Sequence, residues 1–233
     1  MARKKIVFVI VEGVSEQDAL GAILSNIYDK DTVWVQVLRK DITSEYGVDP
    51  SNILSKLGNE VRSYANTYRL KKGDFKEIIH IVDMDGAYIP NENIVEDEAA
   101  ENPIYSLTEI RTADKLGIEI RNQNKRANIN KICGCKELWS IPYSAYYMSC
   151  NLDHVLYNKL NSTDEEKESD SFQFAKRYKE KTEEFLSFIG ESDFSVTGNL
   201  KESWDFIKMD LHSLERYTNF GICFKESDAP TEE

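Results

Sequence analysis

Apolar residues in the first third of the chain follow two different periodicities. The mostly apolar stretch Lys5–Val11 and the apolar residues Ile78, Ile79, Ile81 and Val82 predict strands buried on both faces. The alternation over Val33–Leu38 predicts another strand between them. Apolar residues recur every three or four positions over Ala19–Ile27 and Ile53–Tyr64, which predicts two helices. The order strand, helix, strand, helix, strand is typical of an α/β domain with a parallel sheet.

The pattern changes character after position 86. The acidic, turn-rich stretch 86–104 predicts an irregular excursion, whereas 111–131 predicts a helix. One or two strands are expected within 137–150, followed by a helix that Asn151 can cap with its side chain. From Asp164 onward the pattern is helical and charged.

These elements predict how the chain is organised. We expect an α/β core over residues 1–160, with a parallel sheet and helices on both of its faces. A helical extension over 161–224 is expected to pack on this core, and 225–233 is expected to be a disordered tail. The 233 residues, 41% of them hydrophobic and 11% aromatic, suit such a folded domain and exclude global disorder.

The balance of charge narrows the class of partner. There are 29 basic and 41 acidic residues, and the formal net charge of −12 argues against a free-standing, non-specific nucleic-acid binder. A metal-dependent nuclease is compatible with this charge, because bound cations offset local carboxylates. A partner, a second copy of the chain or a local basic strip would then supply affinity for phosphates. The strongest basic cluster gives the candidate nucleic-acid-binding residues, which are Arg121, Lys125, Arg126 and Lys131.

The sequence shows no pattern typical of a targeting or membrane-spanning segment. The apolar run Ile6–Val11 is too short for a signal peptide, and Glu12 follows where small cleavage-site residues are expected. No apolar stretch approaches the length of a membrane span. The four cysteines form no zinc-binding set and are expected to be reduced thiols. We therefore expect a cytoplasmic protein with no membrane partner.

Acidic residues follow two of the predicted strands. Glu12 comes after the first strand, and Glu16 falls in the first turn of the helix that follows that strand. Asp83 and Asp85 come after the third strand. Ligands of parallel α/β sheets bind beyond the carboxyl ends of the strands, so these carboxylates are expected to converge. A cluster of hard oxygen ligands needs a counter-charge, and Mg²⁺ or Mn²⁺ suits it best.

These residues carry a family resemblance. The motif VIVEGVSE, followed about seventy residues later by IVDMDGA, resembles the Toprim domain, the metal-binding α/β module of topoisomerases, DnaG-type primases and several nucleases. The resemblance covers about residues 4–86 and maps the family's acidic positions onto Glu12, Asp83 and Asp85. Glu16 resembles the second glutamate of the nuclease branch, which includes the overcoming-lysogenization-defect family and the small RloB-like proteins.

The resemblance implies a function and a set of roles. A stand-alone Toprim protein of this size resembles a small nuclease of bacterial abortive-infection systems, which act against phage and often include an ATPase partner. Its acidic residues would hold one or two Mg²⁺ ions for the hydrolysis of DNA or RNA. The stretch SCNLDHVLYN is similar to a corner at which RloB-like proteins carry a further acidic residue, here Asp153. Either Glu16 or Asp153 would complete a second metal position or act as general base.

Other interpretations fit parts of the same pattern. Each carboxylate can have a purely structural role, at a helix N-terminus or in a turn. IVDMDGA also resembles the phosphatase motif of the haloacid dehalogenase superfamily, with Asp83 as the nucleophile, although Ala87 stands where that family usually has threonine. A ribonuclease of ribosomal-RNA maturation is a second nuclease candidate. A catalytically silent Toprim interaction subunit, or a homo-oligomer, is also compatible with the charged C-terminal segment.

Overall fold

The structure is a computed structural model that describes residues 4–28, 33–39 and 41–225. Its strands are β1 (Lys5–Val11), β2 (Val33–Arg39), β3 (Phe75–Asp83), β4 (Ile94–Glu96), β5 (Ile104–Tyr105), β6 (Ile110–Thr112), β7 (Glu137–Leu138) and β8 (Ile141–Met148). Its helices are α1 (Val14–Ile27), α2 (Ile53–Thr67), α3 (Lys115–Ile132), α4 (Leu152–Tyr157), α5 (Asp164–Tyr178), α6 (Thr182–Glu191), α7 (Leu200–Ile207) and α8 (Ile222–Lys225). The five predicted elements that precede position 84 are all present.

The chain divides into two compact units. The first unit takes the described residues up to Val82 together with 123–145 and 167–180, and the second takes 83–122, 146–166 and 181–225. Boundaries fall inside β3, α3, β8 and α5, so each of these four elements supplies residues to both units. The predicted helical extension over 161–224 also supplies residues to both units. The predicted tail lies outside the described residues from position 226 onward.

The main sheet has five strands in the order β2-β1-β3-β8-β7. Strand β1 pairs in parallel with both β2 and β3, as the α/β pattern predicted. The expectation of a purely parallel sheet is wrong, because β7 pairs antiparallel with β8. Only Trp139 and Ser140 separate these two strands, and both have positive φ angles of 52° and 57°. A two-residue connection of this kind can join only antiparallel strands.

The interior of the first unit forms around the two central strands. Residues 7–11 of β1 and 78–82 of β3 are all buried, which is the pattern of strands covered on both faces. Helix α1 packs against β2, and a Cβ at Gly21 would lie 3.6 Å from Val37 Cγ2, so the helix approaches the strand closely. Helix α2 buries one side, which includes Leu57 and Val61.

The second unit contains a small sheet that the sequence pattern did not predict. Its order is β4-β6-β5, with β6 parallel to β4 and antiparallel to β5. A cluster of buried residues lies in this unit and consists of Ile89, Ile94, Ile110, Ile118, Cys150 and Leu214. The stretch 86–104, expected to be irregular, therefore includes β4 and the first residue of β5. Strands of two or three residues are too short to show an alternation in the sequence.

Within the described ranges, no helix combines the length and the apolar composition that crossing a membrane requires.

Candidate functional site

Glu12 follows the last residue of β1, and both of its carboxylate oxygens have a partner in the first unit. Oε2 lies 3.2 Å from the Nζ of Lys125, and Oε1 accepts a hydrogen bond of 2.9 Å from the Thr43 hydroxyl. The Lys125 side chain has no exposed surface, and that of Glu12 is 8% exposed. A charge removed from water is tolerated only when it is paired and hydrogen-bonded, so each of these residues requires the other.

Helix α3 is held beside the segment that follows β2. One turn beyond Lys125, the buried Asn128 donates hydrogen bonds of 3.0 Å and 3.2 Å to the carbonyl oxygens of Thr43 and Val48. The same segment is therefore tied to α3 by a side-chain amide and presents the Thr43 hydroxyl to Glu12. This contact fixes the position of the ion pair inside the unit.

A buried histidine completes the polar interior of the first unit. His80 in β3 is fully buried, and its Nδ1 lies 2.8 Å from the Tyr143 hydroxyl. Burial, with a smaller contribution from the positive charge of Lys125, lowers the pKa of His80 to about 3. His80 is therefore neutral at neutral pH. Its Nε2 is buried and has no hydrogen-bond partner among the described residues.

The D-M-D-G segment, residues 83–86, lies at the carboxyl end of β3. Asp83 is the last residue of the strand, whereas Asp85 has a φ of 47° and Gly86 a φ of 65°. Both residues after Met84 are therefore left-handed turn residues. Because β3 ends at Asp83, the alternation of side chains along a strand does not extend to Asp85.

The backbone of this segment is anchored within the second unit through three consecutive N–H groups. They donate to carbonyl oxygens at the end of β8 and in the segment before α8. The pairs are Met84 to Met148 at 3.0 Å, Asp85 to Cys150 at 2.6 Å and Gly86 to Ser213 at 3.1 Å. A turn that donates three successive backbone hydrogen bonds has little freedom to change its φ and ψ angles.

Arg121 and Asn122 of α3 hold the opposite side of the segment. Arg121 donates through Nη2 to the carbonyl oxygen of Asp85 at 2.7 Å and through Nη1 to the Tyr105 hydroxyl at 2.7 Å. Asn122 donates to the carbonyl oxygen of Gly86 at 3.3 Å. Burial alone would lower the pKa of Arg121, but Tyr105 and Asp85 raise it overall, so the guanidinium stays charged.

The structure changes the interpretation of the basic cluster. Lys125 is fully buried against Glu12, and Arg121 is partly buried against the D-M-D-G segment. These two side chains therefore do not form the exposed phosphate-binding row that their helical spacing predicted. Arg126 is partly exposed and Lys131 is exposed, so these are the members of the cluster with access to solvent.

Two further acidic residues were expected to contribute. Asp153 lies in the first turn of α4 and is 6% exposed, and Asn151 caps this helix as predicted by accepting a hydrogen bond of 2.9 Å from the His154 N–H. The backbone of Glu16 lies in α1, but its side chain lies outside the described residues.

The D-M-D-G segment offers the type of ligand atom that a divalent metal ion prefers. Asp83 and Asp85 offer carboxylate oxygens, the ligands that Mg²⁺ prefers. Glu12, in the other unit, has Lys125 as its counter-charge. Among the side chains that the structure describes, no group of three or more histidine, cysteine, aspartate and glutamate residues is arranged to hold a metal ion. The described side chains therefore offer a metal ion a pair of carboxylates and not a preformed set of three ligands.

Sequence reasoning missed several residues that support these positions. Thr43, Asn122 and Asn128 belong to no recognised sequence motif. Their roles become visible only from the hydrogen bonds that they make in the folded chain. The one available signal was the set of polar residues at positions 121, 122, 125 and 128, which share one face of a helix. Polar residues on the face that packs inward are either paired or part of a site.

Comparisons with family models, with curated proteins and with solved structures give no match for this chain, so the Toprim resemblance stays a prediction that rests on the sequence motifs alone.

Proposed function

We propose that the chain is a nuclease that hydrolyses phosphodiester bonds of DNA or RNA with Mg²⁺ or Mn²⁺. The observation that supports this most is the anchoring of the D-M-D-G segment, whose backbone makes five hydrogen bonds to β8, the segment before α8 and α3. A pair of carboxylates that must meet a metal ion and a phosphate needs a backbone held in this way.

The order of the strands supports the same proposal. In the order β2-β1-β3, the strand that follows β1 along the chain lies on one side of β1, and the next strand, β3, lies on its other side. Ligands in α/β sheets bind outside the carboxyl ends of the strands at such a change of direction. Glu12 follows the carboxyl end of β1, and Asp83 is the last residue of β3.

The proposed chemistry assigns different tasks to the metal and to the chain. Asp83 and Asp85 would hold the ion, and Mg²⁺ bound there would supply a Lewis acid that stabilises charge on the phosphate and lowers the pKa of a bound water. Arg121 fixes Asp85 through its carbonyl oxygen, which keeps that residue in its left-handed conformation. Glu12, Glu16 and Asp153 keep, within this proposal, the roles that the resemblance implies.

The proposed source of substrate affinity follows from the charges. The chain is acidic overall, and two of the four basic candidates are occupied by internal partners. We therefore assign part of the affinity for phosphates to a partner or to a second copy, with Arg126 and Lys131 contributing locally. An ATPase partner, a role in antiphage defence and a cytoplasmic location are implied by the resemblance alone.

The decisive experiment compares substrates and metals directly. The purified chain is incubated with plasmid, single-stranded DNA and bulk tRNA in Mg²⁺, in Mn²⁺ and in EDTA. We expect cleavage in the presence of metal only, and we expect Asp85→Asn to abolish it while the protein stays folded. The matched control is Asp205→Asn, because Asp205 is an exposed aspartate of α7 whose one ion-pair partner among the described residues is Lys201, at 3.2 Å.

Two outcomes would replace the proposal with a named alternative. Turnover of p-nitrophenyl phosphate that Asp83→Asn abolishes and Glu12→Gln leaves intact would identify a phosphatase of the haloacid dehalogenase type. Absence of cleavage with every substrate and metal, together with no Mn²⁺ binding by electron paramagnetic resonance, would identify an interaction subunit.

A further inference from the structure

A cavity lies in the second unit, and neither the proposed metal-binding residues nor the basic cluster lines it. The cavity has a volume of about 410 Å³. Its lining combines charged and polar side chains with apolar ones, and comes from α4, from the segments before and after α7, and from Leu107. The lining residues used below are Leu107, His154, Asp193, Phe194, Glu215 and Arg216. A cavity of this size accommodates one small planar molecule or one base of a nucleic acid.

Arg216 is fixed in the wall of this cavity. Its Nε and Nη2 donate hydrogen bonds of 3.0 Å and 2.7 Å to the carbonyl oxygen of Val155, and its guanidinium carbon lies 4.1 Å from the centre of the Phe194 ring. These contacts use one edge and one face of the guanidinium. The N–H groups on Nη1 have no acceptor among the described residues, so they are available to a ligand.

His154 supplies a buried polar atom without a partner. Its side chain lines the cavity, the residue is 2% exposed, and Nδ1 is buried without a hydrogen bond to any described residue. Burial, and next the positive charge of Arg216, lower the pKa of His154 to about 4, so the ring is neutral at neutral pH. A buried nitrogen left without a partner costs free energy that a bound ligand can recover.

The charges around the cavity exclude an anion as its ligand. One fixed cation, Arg216, faces two carboxylates, Asp193 and Glu215. Asp193 makes no hydrogen bond or ion pair with a described residue, whereas Glu215 lies 4.0 Å from Nε2 of His212. The site therefore combines a donor pair on Arg216 with acceptors on Asp193. It calls for a planar, uncharged group that carries acceptors on one edge and N–H donors on another.

We propose that this cavity binds a guanine base. Guanine offers O6 and N7 as acceptors to an arginine, and its N1–H and N2–H₂ groups can donate together to one carboxylate. Arg216 would bind the acceptor edge, Asp193 the donor edge, and the plane of the base would lie against Leu107. This inference rests on the proposed function, since an unstacked base of the substrate strand is the natural source of such a group.

The test measures binding in EDTA, so it does not depend on cleavage. Guanosine, adenosine, inorganic phosphate and agmatine are titrated into the full chain by calorimetry. We expect guanosine to bind, and Asp193→Asn to weaken it by at least about tenfold, because one bidentate contact discriminates between bases by that order. Adenosine and phosphate are expected not to bind. The control is Asp205→Asn, since Asp205 does not line the cavity.

A competition experiment separates the two sources of guanine. An oligothymidine that contains a single dG is expected to displace guanosine, whereas the same strand without dG is not. Displacement by neither strand would mean that the site takes a free nucleoside or nucleotide and would overturn the link to the substrate. Binding of agmatine in place of guanosine would indicate a basic peptide, and binding of nothing at millimolar concentration would remove the site. Absence of cleavage by the unsubstituted chain, together with binding of guanosine, would contradict the proposed nuclease but not the base-binding site.

Discussion

Lys125 Nζ lies 3.2 Å from Glu12 Oε2 within the first unit, and neither side chain is more than 8% exposed. The lysine was expected to contact phosphate and the glutamate to bind a metal ion, yet in this structure each neutralises the other. A buried pair of this kind is costly to break at one end, because the remaining charge then has neither water nor a partner.

The first prediction concerns this pair. Lys125→Met keeps the aliphatic volume and removes the charge, and we expect it to lower the free energy of unfolding by about 3–5 kcal/mol. Adding Glu12→Gln should restore most of that loss, because the uncompensated carboxylate is then gone. Denaturant unfolding of both single variants and of the double variant measures the coupling energy. A loss below about 1 kcal/mol in Lys125→Met would show that solvent reaches Glu12.

The second prediction concerns Arg121 as a positioning residue. Its guanidinium reaches the Asp85 carbonyl, the Tyr105 hydroxyl and Asn122 Oδ1 at once, which a single ammonium group cannot do. We therefore expect Arg121→Lys to cost about 1.5–3 kcal/mol of stability and to weaken Mn²⁺ binding, although the charge is kept. Thermal unfolding and electron paramagnetic resonance measure the two effects.

The control for Arg121 is an arginine of the same unit that does not touch the D-M-D-G segment. Arg111 is 52% exposed and pairs with Glu109 at 2.8 Å and with Asp97 at 3.7 Å. Arg111→Lys should change stability by less than about 0.5 kcal/mol and leave Mn²⁺ binding unaltered. Equal effects of the two substitutions would mean that Arg121 does not position Asp85.

The third prediction separates backbone strain from steric conflict at Gly86. Gly86 and Gly47 both have positive φ angles, 65° and 75°, which cost a non-glycine residue about 1–2 kcal/mol. A Cβ at Gly86 would lie 2.7 Å from Leu214 Cδ2 and 3.0 Å from Ile110 Cδ1, whereas a Cβ at Gly47 meets nothing within 4 Å.

We therefore expect Gly86→Ala to lower stability by about 1–3 kcal/mol more than Gly47→Ala does, because only the former also overpacks the interior. Gly86→Ala should in addition reduce cleavage, since its N–H and carbonyl groups anchor the D-M-D-G segment. Unfolding in denaturant and single-turnover cleavage check the two parts. Similar losses in both variants would assign the whole effect to backbone strain.

The elements that the sequence predicted well are those with a long, regular pattern. Strand β1 is apolar at every position from Ile6 to Val11, β3 is apolar at four of the five positions from Ile78 to Val82, and α2 repeats its apolar positions over four turns. The mixed character of the sheet depends on two residues, Trp139 and Ser140, that carry no recognised turn signal such as Asn-Gly. The direction of β7 could therefore not be predicted from local pattern.

The fate of the basic cluster shows a second limit. Lys125 and Arg126 are adjacent in sequence and equal in formal charge, yet the first is fully buried and the second is partly exposed. Helical spacing shows which residues share a face but not whether that face meets solvent. Asn122 and Asn128, polar residues on the same face as Lys125, pack against backbone carbonyls that are distant in sequence, and such contacts cannot be read from spacing.

The last prediction concerns the two buried histidines, one in each unit. Burial lowers the pKa of His80 to about 3 and that of His154 to about 4, against 6.5 for an ordinary histidine. In the unfolded chain both rings take up a proton as the pH falls through 6.5, while in the folded chain they stay neutral. The unfolded state then binds more protons, so stability must fall with falling pH between about 6.5 and 4 and be insensitive to these rings above pH 7.

The expected loss is at most about 1.4 kcal/mol per pH unit for each histidine. Unfolding free energies at pH 7.0, 6.0 and 5.0 should therefore decrease steadily, and His80→Phe should reduce the slope because one proton-binding group of the unfolded chain is gone. His212→Gln is the matched control, since it removes the third histidine of the chain and leaves both buried rings in place. An unchanged slope in His80→Phe would mean that His80 is accessible to protons in the folded protein.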